Sequence, residues 1–107
     1  MAQRVTLLDQ GDSPYSAQDT DNIIALDDPF TMDDTFDVVL PDPTAIVTGR
    51  ILSVKDQTGS LTVNRKIVVT SNGGALIDGN ASLDLTNPYL SYTFYTDHAN
   101  WYTLSAN

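Results

Sequence analysis

Apolar and polar residues alternate with period two along several short stretches, the spacing of half-buried β-strands. In Thr35–Leu40, Phe36, Val38 and Leu40 fall on one side and Asp37 and Val39 on the other. In Tyr89–Thr96, Tyr92, Phe94 and Thr96 share one face, with Thr93 and Tyr95 opposite. The stretch from Val54 to Leu85 reads as three apolar strands joined by turns. Lys55 to Gly59 is a polar turn closed by glycine, and Lys66 to Thr70 is a run rich in β-branched residues suited to a pleated surface. Ser71 to Gly74 is a tight turn. Leu76-Ile77 then leads into the pair Asp78-Gly79 and a return strand carrying Leu83 and Leu85. Asp-Gly between apolar segments signals a two-residue hairpin in which the glycine takes positive φ.

Shorter candidates complete the set. Val5 to Leu8 and Asn22 to Leu26 read as short strands, and Asp27-Asp28-Pro29 breaks the second. Pro41 and Pro43 end the strand before them, because proline brings no ladder donor. Gly49, inside the strand region Thr44–Lys55, marks a bulge or a close backbone approach. Asp97 to Asn100 is a four-residue hairpin loop before Trp101 to Leu104. The expectation is an all-β fold: a compact antiparallel β-sandwich, jelly-roll-like, of seven or eight short strands. The domain division is an N-terminal acidic arm or strand over residues 1–21 and a β domain over residues 22–107.

Composition sharpens this picture. The chain has 107 residues, and all fourteen acidic residues are aspartate, which favours turns and caps over helix interiors. Thirteen threonines point the same way. The absence of cysteine rules out disulfides and thiolate metal sites. Charge is uneven: residues 1–42 hold ten Asp against Arg4, whereas residues 43–107 hold four Asp against four basic residues. The whole net charge of −9 therefore sits in the first part of the chain. Such a segment repels nucleic acid and suits a basic protein surface. Apolar runs are far too short to span a membrane, so no membrane partner is expected.

Leu40-Pro41, Gly49-Arg50, Val54-Lys55-Asp56 with Gly59, Gly73-Gly74, Ile77-Asp78-Gly79, Tyr89 and Asn100-Trp101-Tyr102 form an ordered series. The series resembles a small β domain recurrent in tailed-phage virion proteins, including tail-fibre and head-decoration polypeptides. It covers roughly residues 20 to 104. His98-Ala99 departs from the pattern, which usually has a glycine before Asn-Trp. The resemblance implies a virion structural role, commonly as a homotrimer, and no catalytic residue.

Candidate sites are few. His98, the sole histidine, has no nucleophile context around it. The pairs Asp27/Asp28 and Asp33/Asp34 invite a Ca²⁺ or Mg²⁺ reading, but no D-x-D-x-D-G loop is present, so no metal and no cofactor is expected. Asn72-Gly73-Gly74 lacks the lysine and helix of a phosphate-binding loop. Tyr89, Tyr92, Tyr95, Trp101 and Tyr102 suit core packing and a subunit interface. The residues expected at a capsid or subunit interface are Val5, Leu7, Leu8, Tyr15, Asp27, Asp28, Phe30, Asp33 and Asp34. Gly59, Gly73, Gly74, Asp78 and Gly79 are expected to shape turns. The function expected from these readings is capsid decoration: a cement protein on the virion surface, bound to the major capsid protein and to itself as a homotrimer. A receptor-binding knob or short fibre protein is the alternative, and an enzyme ranks last.

Overall fold

A computed structural model describes residues 5–18, 21–27, 35–46 and 50–106. Nine strands are present among them: β1 (Val5–Leu8), β2 (Tyr15–Ser16), β3 (Ile23–Leu26), β4 (Thr35–Leu40), β5 (Ile51–Asp56), β6 (Lys66–Ser71), β7 (Leu83–Leu85), β8 (Ser91–Thr96) and β9 (Trp101–Ala106). The remaining regular structure is three short 3₁₀ turns. The strands form a five-stranded sheet ordered β1-β3-β5-β8-β9 and a four-stranded sheet ordered β2-β4-β6-β7.

The fold is all-β, as expected, but the sheets are mixed rather than antiparallel. The first six strands alternate between the two sheets, and each runs parallel to its neighbour from the previous passage. Val5 lies opposite Ile23 and Ile23 opposite Ser53; in the other sheet Tyr15 lies opposite Val38 and Val38 opposite Val69. A parallel pair needs a long crossover, and here a strand of the opposite sheet takes the place usually filled by a helix. Only β6–β7, β5–β8 and β8–β9 are antiparallel. The physical reason for the difference is that period-two alternation says which face of a strand is buried and nothing about the direction of its neighbour. The proline-bounded stretch after β4 carries the 3₁₀ turn Pro43–Ala45.

The inner faces meet in one core. Ile24, Leu26, Leu52, Val54, Phe94 and Trp101 come from the five-stranded sheet, and Phe36, Val38, Leu40, Ile67, Val69 and Leu85 from the other. Leu61 and Ile77 enter it from connecting segments. The longer strands contribute alternate residues, as the burial of Phe36, Val38 and Leu40 along β4 illustrates, whereas β3 buries Ile24, Ala25 and Leu26 in succession.

Residues 5–17 contribute to this core. β1 pairs with β3, β2 pairs with β4, Leu8 is buried, and Tyr15 and Ala17 pack against the same cluster. Of the two alternatives for residues 1–21, arm or strand, the segments 5–8 and 15–16 are strands. The Asp21 carboxylate, itself buried, fastens them by accepting from Thr6 Oγ1 (2.6 Å), Tyr15 Oη (2.7 Å) and Gln18 N (2.8 Å). A second correction concerns Asp78-Gly79. The pair does form a tight turn, closed by Ile77 N to Asn80 O (2.7 Å) and Asn80 N to Ile77 O (2.9 Å), with φ of 49° and 81°. Yet the strand after it, β7, pairs with β6 rather than returning along Leu76-Ile77.

Candidate functional site

The described part of the ordered series of sequence motifs, Arg50 apart, gathers into three bonded knots. The first centres on Asp56, fully buried at the end of β5. Its Oδ1 accepts from Gly59 N (3.1 Å) and Thr58 Oγ1 (3.4 Å), and its Oδ2 from Leu61 N (3.2 Å) and Tyr89 N (3.2 Å). Four donors occupy a carboxylate's acceptor sites, so the group is satisfied without a cation. Tyr89 lies across Gly59: a Cβ there would meet the Tyr89 ring at 2.4 Å, and φ is +74°. Lys55 Nζ donates to Tyr89 O (2.8 Å) and completes the knot.

The second knot joins the Asp78-Gly79 turn to β9. Asp78 N donates to Trp101 O (3.0 Å) and Trp101 N to Leu76 O (2.9 Å). Asp78 Oδ1 accepts from Thr103 N (3.0 Å), Oδ2 from Thr103 Oγ1 (2.6 Å), and Asn100 Oδ1 from Leu76 N (2.9 Å). The turn thus closes the free rim of the five-stranded sheet at β9. The third knot lies around Pro41-Asp42. Pro41 O accepts from the buried Trp101 Nε1 (3.1 Å). The Asp42 carboxylate caps the 3₁₀ turn Pro43–Ala45 through Thr44 N (3.0 Å) and Thr44 Oγ1 (2.8 Å). A Cβ on Gly73 (φ +76°) would lie 2.5 Å from that carboxylate. Gly74 also has positive φ, with open space around it. These bonds supply an architectural reason for every residue they include.

The Asp97–Asn100 loop belongs to the same end of the sheets. Asp97 Oδ1 accepts from Asn100 N and Ala99 N, both at 2.9 Å, which holds its carboxyl below the ordinary value, the Asn100 bond most. The hydrogen bonds from Thr44, its side chain first, do the same for Asp42. Tyr102 Oη donates to Asp97 Oδ2 (3.2 Å), and the Asp97 charge pushes the phenol up. His98 occupies the left-handed region (φ 80°), and its Nδ1 lies 2.9 Å from Ile46 O.

The residues expected at an interface divide into distinct groups. Val5 and Leu7 are about half exposed. Leu8 differs from them: its side chain lies inside the core, 6% exposed. Tyr15 is half-buried, with its hydroxyl committed to Asp21. Asp27 is exposed and accepts from Gln57 Nε2 (3.2 Å), while Asp28, Phe30, Asp33 and Asp34, like Gly49, lie outside the described residues. Among the described residues, no group of three or more histidines or acidic residues is placed to hold a metal ion.

What the structure brings together instead is the outward face of the five-stranded sheet. Val5, Ile23, Ser53 and Thr93 form one row across it; Leu7, Ala25, Lys55 and Ser91 form a second; Ile51, Tyr95 and Tyr102 form a third. Ser53 Oγ and Thr93 Oγ1 lie 3.0 Å apart, and the rings of Tyr95 and Tyr102 stack at 5.6 Å. Leu104, displaced by a bulge in β9, adds a side chain 61% exposed. No carboxylate stands on these rows, although the chain carries fourteen aspartates. The signal available in sequence was broken alternation: Ile51 next to Leu52, and Leu7 next to Leu8, each put an apolar side chain on both faces of one strand. No protein family model matches the chain, and no curated protein matches it.

Proposed function

We propose that the protein is a structural component of a tailed-phage particle, a decoration or cement protein that binds the major capsid protein on the head surface and associates with itself as a homotrimer. In this reading its role is assembly, with no catalytic step and no cofactor. The ordered motif series supports the phage assignment. The observation that carries an assembly role is the outward face of the five-stranded sheet, where Val5, Leu7, Ile51 and Tyr95 are exposed on rows free of carboxylates. Large apolar side chains exposed on a carboxylate-free face of an otherwise acidic protein mark a contact surface.

Mixing the purified protein with undecorated head shells tests the reading. Sedimentation with the shells and raised heat resistance of the decorated particles are the expected results, together with three subunits by light scattering. Binding to host cells with none to shells would replace decoration by the receptor-binding reading. A monomer both free and on the particle would remove the trimer.

A further inference from the structure

The two sheets have four rims, and they are not alike. β9 is covered along its first half by the Leu76–Asp78 turn, which bonds Trp101 and Thr103. β2 is two residues long, and β7 is three. Short and covered rims resist pairing with other chains. β1 is different: Val5-Thr6-Leu7-Leu8 has no charge, no proline and a continuous register along β3. Leu8 O accepts from Asp27 N (2.8 Å), so the polar backbone groups of Leu8 turn toward β3. Neighbouring residues of a strand turn theirs to opposite sides, so the N–H and C=O of Leu7 turn outward. Among the described residues nothing pairs with them.

Beyond the end of β1 lies a shallow hollow of about 220 Å³, lined by Leu7, Leu8, Asp9, Asp12 and Asp27. Its carboxylates are held in place: Asp12 Oδ2 accepts from Asp9 N, Asp9 Oδ1 from Gly11 N and Asp27 Oδ1 from Gln57 Nε2. Among the described residues no basic side chain forms an ion pair with them.

We propose that the free rim of β1 takes up an extended segment of a partner protein by strand addition, the segment carrying alternate apolar residues and a basic residue beside Asp9, Asp12 and Asp27. Main-chain bonds to Leu7 give affinity, apolar side chains lie beside Val5 and Leu7, and the carboxylates select a cationic end over an acidic one. The site is a strand rim rather than the sheet's outward face. It shares Val5 and Leu7 with that face, but it is tested with peptides and no head shells, so its failure is distinguishable from failure of the head-decoration reading.

The test uses the full chain and short fluorescent peptides that alternate valine and threonine. They carry a pair of lysines at one end or the other, or glutamates in their place. A lysine peptide is expected to bind and to slow hydrogen exchange at the Leu7 amide of the unmodified protein. Leu7→Pro removes the outward N–H without touching the bonds to β3, whereas Leu7→Ala keeps that N–H and shortens the side chain. Proline is expected to weaken binding at least about tenfold, alanine less than about threefold, and glutamate peptides to bind at least about tenfold more weakly than lysine peptides. Equal binding of the two variants, equal binding of the two peptide charges, or unchanged exchange at Leu7 would each overturn the proposal. The exchange result decides the matter if Leu7→Pro fails to fold.

Discussion

The five-stranded sheet turns Val5, Leu7, Ile51 and Tyr95 outward, and the four-stranded sheet turns out Ser16, Asp37, Lys66 and Asp84. Both sheets rest on the same core, through the same alternation of inward residues. On the four-stranded sheet the outward aliphatics Val39 and Val68 are half-buried, and Lys66 pairs with Asp84 at 3.1 Å. That is the ordinary exterior of a sheet with one solvated face. The other exterior carries large exposed side chains that the core does not use. Folding alone accounts for the first face and leaves the second unexplained, which is why the second is assigned to contact with a partner.

The largest expected effect strikes beneath both faces. Asp56→Ala leaves the N–H groups of Gly59, Leu61 and Tyr89 without their acceptor, the Leu61 bond being buried and the other two part-buried. The expected loss is about 3 kcal/mol or more in chemical denaturation. Since the scaffold is common, partner binding and stability should fall together; an unchanged midpoint would mean that water serves these donors equally well.

A narrower change is Gly79→Val, at φ 81° in the turn that closes β9. A β-branched residue resists that conformation, and the expected cost is about 1–3 kcal/mol. The damage should concentrate at the five-stranded sheet. Faster amide exchange at Trp101 and Thr103, with β4 unaffected, is the signature to look for. Uniform loss of protection would show that the two sheets do not yield separately.

On the polar face, Lys66→Ala removes an ion pair whose side chains are each more than one-third exposed. Such pairs contribute about 0–1 kcal/mol and are screened by salt. A thermal midpoint that moves no more than a degree or two is expected, and a large drop would give that face a structural weight it lacks here.

The smallest expected effect is acid dependence. Asp42 and Asp97 have folded pKa values below the ordinary one, so the unfolded chain takes up these protons first. Their contribution is complete above the unfolded carboxylate value and is lost as pH falls through their folded values. Tyr102, raised by Asp97, works on the other side: its contribution is complete below the ordinary phenol value and is lost as pH rises through the folded one. The contribution of these three groups should therefore be level between about pH 5 and 9. In Asp97→Asn both limbs should flatten, and thermal melts across pH read this directly.

Much of the strand content is legible in the chain. The alternation in Thr35–Leu40 and Ser91–Thr96 reports correctly which residues turn inward, because one buried face imposes period two. Strand direction is not legible there, since parallel and antiparallel neighbours bury the same residues. Leu8 illustrates a second limit. In the run Val-Thr-Leu-Leu, nothing local distinguishes Leu7 on the outside from Leu8 in the core. Asp56 illustrates a third. Its proximity to Gly59 is visible in sequence, but the bond to Tyr89 N spans 33 positions and exists only once β5 and β8 are paired. The outward face is legible only in retrospect, because its rows join residues from five strands.

The most direct test sets one face against the other on the same shells. Ile51→Asp with Tyr95→Asp places carboxylates in the middle of the apolar rows, and Val39→Asp with Thr70→Asp does the same on the polar face. Circular dichroism first checks that both variants fold. The account requires the first pair to weaken shell binding by at least about tenfold and the second by less than about threefold. Equal weakening by both pairs, or normal binding by the first, would contradict the assignment of the five-stranded sheet's outward face as the contact surface.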